Sequence, residues 1–226
     1  MAGDMREEII GDCRLILGDC REVLPTLGRF DACVTDPAYG INAARARNSQ
    51  KWGWKDYAAP GWDQERTPAD LITAILECAD EVIVWGGNYF TDSLPPTDKW
   101  LVWDKGQTDF SLADVELAWC SMKGAARRLM YPRALALKDG KEHPTQKPLE
   151  VMKWTLGHLS APCGVIDPLM GSGTTGAACV SVGLKFTGIE RVPEYFDIAC
   201  RRIEEAYRQP RLFAEPAPKP KQEALL

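Results

Sequence analysis

The stretch Gly164-Val165-Ile166-Asp167-Pro168-Leu169-Met170-Gly171-Ser172-Gly173-Thr174-Thr175-Gly176 decides the fold. An apolar strand ends on Asp167, a glycine turn follows, and a helix opens at Thr174. Gly171 and Gly173 accept positive φ and let backbone approach a ligand closely. The helix N-terminus supplies unpaired N–H groups for an anionic group. Neither standard phosphate fingerprint fits. The turn has no lysine, and the spacing Gly171, Gly173, Gly176 is not G-x-G-x-x-G. Taken alone, the turn fits a purely structural role equally well.

Downstream, Lys185-Phe186-Thr187-Gly188-Ile189-Glu190 is apolar and closes on an acid 23 positions after Asp167. An acid at the end of the second strand of a nucleotide-binding unit receives ribose hydroxyls. The same acid also fits a helix cap before Pro193. Together the two features point to an adenosyl-containing cofactor. Around them, short apolar runs alternate with amphipathic stretches. Strands are predicted at Cys13–Leu17, Ala32–Thr35, Glu81–Trp85, Trp100–Trp103, Val115–Cys120, Val165–Ile166 and Lys185–Ile189. Helices are predicted at Asp19–Leu27, Pro68–Cys78 (with Thr67 as its cap), Leu149–Leu159, Thr174–Val182 and Pro193–Tyr207. Such alternation predicts an α/β fold with a mostly parallel sheet, whose ligands lie at the carboxyl ends of the strands.

A second strand end also carries chemistry. Phe30-Asp31-Ala32-Cys33-Val34-Thr35 runs into Asp36-Pro37-Ala38-Tyr39-Gly40. Pro37 lacks an N–H and holds Asp36 extended. The Asp36 carboxylate and the Pro37 and Ala38 carbonyls then form a cluster of acceptors beside an aromatic ring. That cluster suits an exocyclic amine on a stacking base. A plain Asp-Pro turn with Tyr39 packed inward is the other reading.

The two turns together resemble those of the S-adenosylmethionine-dependent DNA amino-methyltransferases. That family carries a D/N/S-P-P-Y/F motif for catalysis and a D-P-F-x-G-S-G-T-T motif for the cofactor. The order, catalytic motif first, is similar to the β class, which has a permuted Rossmann-like methyltransferase fold. His143-Pro144-Thr145-Gln146-Lys147-Pro148, Leu17-Gly18-Asp19-Cys20, Val84-Trp85-Gly86-Gly87-Asn88-Tyr89-Phe90 and Trp100-Leu101-Val102-Trp103-Asp104-Lys105 match further family blocks in order. The resemblance spans roughly residues 10 to 205. It implies a mostly parallel seven-stranded sheet with helices on both faces.

The resemblance also implies roles. Asp36, Pro37, Ala38 and Tyr39 would be catalytic. Asp36 and the Pro37 carbonyl would accept the N–H groups of the target amine, freeing its lone pair, and Tyr39 would stack on a base flipped out of the duplex. Transfer would be direct, with no covalent intermediate. Gly171, Ser172, Gly173 and Thr174 would surround the methionine part of the cofactor. Glu190 would take the ribose, and Asp19 would sit by the adenine amino group. Lys147 would pair with the cofactor carboxylate, near Thr145 and Gln146. Asp36, Cys20, Asp167, Leu169 and Thr175 complete the implied cofactor set; S-adenosylhomocysteine would be the product, and no metal is implied. Ala38 and Leu169 depart from the family's proline and phenylalanine without removing a polar group. The leading aspartate leans toward adenine N6. The alternatives are cytosine N4 and, in another class, a catalytically inactive cofactor- or DNA-binding regulatory protein.

Composition narrows the rest. The chain has 226 residues, net charge −5 and 45% hydrophobic residues, which argues for a real core and against a globally basic nucleic-acid coat. Cys13, Cys20, Cys33, Cys78, Cys120, Cys163, Cys179 and Cys200 include no C-x-x-C pair and sit mostly among apolar neighbours, so they read as core filler. Two segments are locally basic. The first interleaves Arg45, Arg47, Lys51 and Lys55 with Trp52, Trp54 and Tyr57. The second, from Lys123 to Lys141, carries Arg127, Arg128 and Arg133. Cations for phosphates and rings for bases make the first a DNA-binding candidate, and the resemblance implies the same for the second, which occupies the place of the family's target-recognition region. The expected layout is one catalytic domain over 1–208 with short recognition insertions near 41–66 and 123–142, then a Pro-rich flexible tail at 209–226. No stretch reads as a membrane span or signal peptide. A cytoplasmic modification enzyme of a bacterial or phage-infected cell is expected, since no separate nuclease motif is visible. Recognition would be short or relaxed, or would come partly from a second subunit; the resemblance implies a homodimer, since family relatives are often dimers.

Overall fold

A computed structural model describes residues 6–41, 64–108, 113–132, 135 and 146–209. Trp52, Arg45, Arg47, Lys51, Lys55, Arg133, Thr145 and the tail beyond Gln209 lie outside them, as do most of the two expected insertions. Among the described residues nine strands form one sheet: β1 Arg6–Ile10, β2 Cys13–Leu17, β3 Phe30–Thr35, β4 Ala79–Trp85, β5 Trp100–Asp104, β6 Val115–Cys120, β7 Arg127–Met130, β8 Gly164–Asp167 and β9 Lys185–Glu190. Their order is β1-β2-β9-β8-β3-β4-β6-β5-β7. The five strands from β2 to β4 are mutually parallel. β6 runs against both β4 and β5.

All seven expected strands are present. The two additional ones lie at the sheet's edges. β1 forms a hairpin with β2, its charged residues paired through Arg14 with Glu7 and Arg6 with Asp197. β7 lies parallel to β5 and holds Arg127 and Arg128. Charged, exposed edge strands resist further strand pairing. That same polarity hides them from a search for apolar runs.

Side chains alternate across the sheet. Val34, Ile83, Trp85 and Val165 join the core beneath α3 Leu149–Leu156, α4 Thr174–Val182 and α5 Pro193–Arg208. Cys33, Val82, Val84 and Ile166 join the opposite core with α1 Cys20–Val23 and α2 Ala69–Glu77. Burial on both faces explains why the central strands read as continuous apolar runs. Pro68, not Thr67, is the residue preceding α2. Thr67 instead donates its N–H to the Ala38 carbonyl at 2.9 Å.

Five of the cysteines are buried: Cys13, Cys20, Cys33, Cys120 and Cys179. They pack as small apolar groups, as their neighbours suggested. Cys163 is exposed.

Candidate active site

The topology brings the two signature turns side by side. β3 and β8 are neighbours, with Cys33 opposite Ile166. The turn after β3 therefore meets the glycine turn after β8. Thr35 Oγ1 donates to Asp167 Oδ1 at 2.8 Å, and Thr175 Oγ1 donates to Oδ2 at 2.7 Å. The Leu169 N–H adds a third bond to Oδ1 at 3.1 Å. The Asp167 carboxylate thus fastens β3, β8 and α4 together. Burial pushes its pKa up to about 6, against the pull of these three donors.

A cleft of about 370 Å³ opens here. Its walls include Asp19, Cys20, Asp36, Gln146, Lys147, Gly171 and Glu190, so it gathers most of the described cofactor candidates. The segment from Gln64 to Pro68 forms a further wall that sequence motifs did not mark. Asp19 caps α1, accepting from the Arg21 N–H at 2.9 Å. Glu190 accepts from the N–H groups of Gly171 at 3.0 Å and Val192 at 2.7 Å. Both readings of this acid therefore meet in one side chain: it braces the start of α5 and lines the cleft. Burial raises its pKa. Burial also pushes the Cys20 thiol up to about 11, away from nucleophilic use.

The glycine turn has a different support from the expected one. Gly171 and Gly173 both have positive φ, 52° and 75°. At Gly173, however, the missing side chain makes room for a helix: a Cβ there would lie 2.8 Å from Ala199 Cβ on α5. The turn is also held by Arg202, which donates to the Ser172 carbonyl and hydroxyl and to Thr174 Oγ1.

The Asp36 turn differs from an open cluster of acceptors. The Tyr39 hydroxyl donates to Asp36 Oδ1, and Lys147 Nζ donates to Oδ2 at 2.6 Å. The Ala38 carbonyl already accepts from Thr67. Tyr39 stacks on Tyr89 with centroids 4.6 Å apart and an interplanar angle of 13°, and its ring fills the space beside Gly86. Tyr89, 38% exposed, is the outer ring of this pair. Lys147, which the resemblance assigned to the cofactor carboxylate, is buried and paired with two protein acids, Asp36 and Glu116. Burial raises the Asp36 pKa, and Lys147 opposes that rise. Glu116 is held down to about 2: Lys147 and Lys105 outweigh the effect of its burial.

Arg127 and Arg128 lie on β7 at the sheet edge, where Arg128 comes within 3.4 Å of Asp104. Glu116, Lys105 and Arg202 were not among the expected site residues. A lone acid inside the otherwise apolar run of β6 is the one signal that marks Glu116.

A parallel α/β sheet with paired glycine and acid turns at its carboxyl ends is the architecture of a nucleotide- or adenosyl-binding enzyme. The chain belongs to the DNA methylase family N6_N4_Mtase, whose model matches residues 84–201. It is 42% identical over 78 residues to the DNA adenine methyltransferase YhdJ of Escherichia coli K12, covering 34% of this chain and 26% of that protein. It is 39% identical over 75 residues to the type II methyltransferase M.HinfI of Haemophilus influenzae, covering 32% and 21%. The matched stretches thus span about a quarter of these relatives. The fold is similar to that of M1.HpyAVI, solved as a SAM complex, with TM-score 0.59, 21% identity and coverage of 84% and 99%. It is also similar to the cytosine-N4-specific PvuII DNA methyltransferase, with TM-score 0.55, 15% identity and coverage of 87% and 91%. These likenesses show the methyltransferase fold.

Proposed function

We propose that the protein transfers a methyl group from S-adenosylmethionine to N6 of adenine in DNA. The observation that carries this reading is the adjacency of the Asp36 turn and the glycine turn, joined by the Thr35–Asp167 bond and opening on one cleft. Membership of the DNA methylase family supports methyl transfer, and the likeness to the DNA adenine methyltransferase YhdJ supports adenine as the base.

The cleft's donor set suits the cofactor. The Glu190 carboxylate matches a ribose diol, Asp19 matches an adenine amino group, and the N-cap of α4 is Gly173, which has no side chain to cap the helix start where an anionic group would lie. Gly171, Ser172, Gly173, Thr174 and Thr175 would surround the methionine part, with Cys20, Leu169, Gln146 and Thr145 completing the walls. S-adenosylmethionine supplies, when bound, a methyl group on a cationic sulfur. Asp36 and the Pro37 carbonyl orient the target amine by accepting its N–H groups and stabilise the positive charge that develops on its nitrogen. Asp36 must first exchange one of its present donors for that amine. The Tyr39–Tyr89 stack offers a flat apolar wall for the base.

DNA phosphates would meet the basic segments containing Arg45, Arg47, Lys51, Trp52 and Lys55, and Arg127, Arg128 and Arg133. The layout of one catalytic domain with two short recognition segments and a tail belongs to the same proposal, as do a homodimer and a cytoplasmic setting. Incubating the protein with DNA and labelled S-adenosylmethionine, then identifying the nucleoside, tests it. N6-methyladenine is expected. N4-methylcytosine would move the assignment to the other base, and no incorporation into any DNA would overturn the methyltransferase reading.

A further inference from the structure

An alternating row of charges runs away from Asp36 at one end of the sheet. Lys147 Nζ lies 2.6 Å from Asp36 Oδ2 and 3.0 Å from Glu116 Oε2. Glu116 Oε1 lies in turn 2.7 Å from Lys105 Nζ. Glu116 is the second residue of β6 and stands opposite Trp103 of β5, and Lys105 follows β5 directly. The sheet register therefore places the two outer members. Lys147 packs over the Trp85 ring at 5.0 Å and Lys105 over the Trp103 ring at 5.2 Å. Both ammonium groups are shielded, with side chains only 5% and 11% exposed.

An ammonium group has three donors. A lysine bound to Asp36 alone would neutralise that carboxylate and block one of its oxygens. Glu116 gives Lys147 a second acceptor, and Lys105 keeps Glu116 in place. The row of two acids and two bases is neutral as a whole. Without Glu116 it carries one net positive charge beside a nitrogen on which positive charge develops.

Building on the proposed methyl transfer, we infer that Glu116, held by Lys105, is a positioning residue: it anchors Lys147 so that Asp36 can release it and accept the target amine. Lys147 then stays in place on Glu116 while Asp36 changes partner. The row remains neutral throughout, so no net positive charge of its own opposes the developing ammonium beside Asp36.

The test is steady-state methylation by Glu116→Gln, with calorimetric S-adenosylmethionine binding beside it. The expected result is a kcat about 10–100-fold lower, with KM for DNA and cofactor affinity within about threefold of the unaltered chain. Glu116→Asp should recover part of the loss. A kcat within about twofold of the unaltered chain, or a loss of cofactor affinity that matches the loss of kcat, would overturn the assignment. Should Glu116→Gln fail to fold, Lys105→Gln releases the outer anchor and decides in the same way: a kcat-selective loss supports the row, and an unchanged kcat overturns it. Absence of methyl transfer by the unaltered chain would refute the proposed function itself, a result distinct from either variant outcome.

Discussion

Arg202, on the last helix, grips Ser172 twice: one guanidinium nitrogen lies 2.7 Å from the Ser172 carbonyl and 2.8 Å from its hydroxyl. The same nitrogen reaches Thr174 Oγ1 at 3.0 Å. The glycine turn is therefore braced from outside by a cation 30 residues away in sequence. Charge-assisted bonds of this kind fix a loop more firmly than neutral ones.

Replacing Arg202 with methionine keeps much of its apolar stem and removes those bonds. S-adenosylmethionine affinity is expected to fall about tenfold, equivalent to about 1.4 kcal/mol. The kcat at saturating cofactor should change little, since Asp36 is untouched. Titration calorimetry on the variant checks this, and an unchanged affinity would refute the bracing role.

Gly173→Ala tests the same turn through its backbone. The φ of 75° disfavours any L-residue, and the new methyl would press on Ala199. The combined cost is about 2–4 kcal/mol, a fall in Tm of roughly 5–15 °C for a domain of this size. Thermal unfolding measures it; an unaltered Tm would mean that α5 moves aside freely.

Asp36→Ala should abolish methyl transfer while cofactor binding persists. The substitution also leaves Lys147 with Glu116 as its remaining acid partner among the described residues. Full activity in this variant would refute the role assigned to Asp36.

Two buried acids give stability opposite slopes with pH. Asp167 has its pKa raised to about 6, so the folded chain binds a proton there that the unfolded chain has lost. Stability from this group falls as pH rises from the ordinary aspartate value toward 6. Glu116 is depressed to about 2, so its contribution is present above the ordinary glutamate value and disappears as pH falls toward 2. Denaturant titrations across this range should show Asp167→Asn flattening the decline between about pH 4 and 6. Glu116→Gln should remove part of the rise between about pH 2 and 4.5. Parallel curves for the unaltered chain and both variants would contradict the assignment.

The seven apolar strands, five helices and two turns were legible because burial on both faces leaves a strong local signal. β1 and β7 were not, since Arg6-Glu7-Glu8 and Arg127-Arg128 form edge strands whose side chains face water. The cleft was legible through Asp19, Asp36, Gly171 and Glu190, which lie within short motifs. Its supports were not. Arg202 belongs to a helix rich in exposed charge, where nothing local distinguishes it from Arg201. Lys147 carried a motif, yet its partners Asp36 and Glu116 come from distant strands that only the sheet order brings together. Gly173 lies within a legible motif, but the neighbour that needs its missing side chain, Ala199 of α5, is legible only in the fold.

The interleaved strand order also governs how the protein must assemble. Cys13 of β2 waits for Phe186 of β9, and Thr35 of β3 waits for Asp167 of β8. Neither pairing can form while the chain's later half is missing. Such long-range closure makes folding slow and leaves β2 and β3 with unpaired edges meanwhile. The Asp36 turn and the glycine turn therefore cannot meet until both halves of the chain are present. A chain that lacks its later half therefore has no assembled cleft, since the walls include both Asp36 and Glu190.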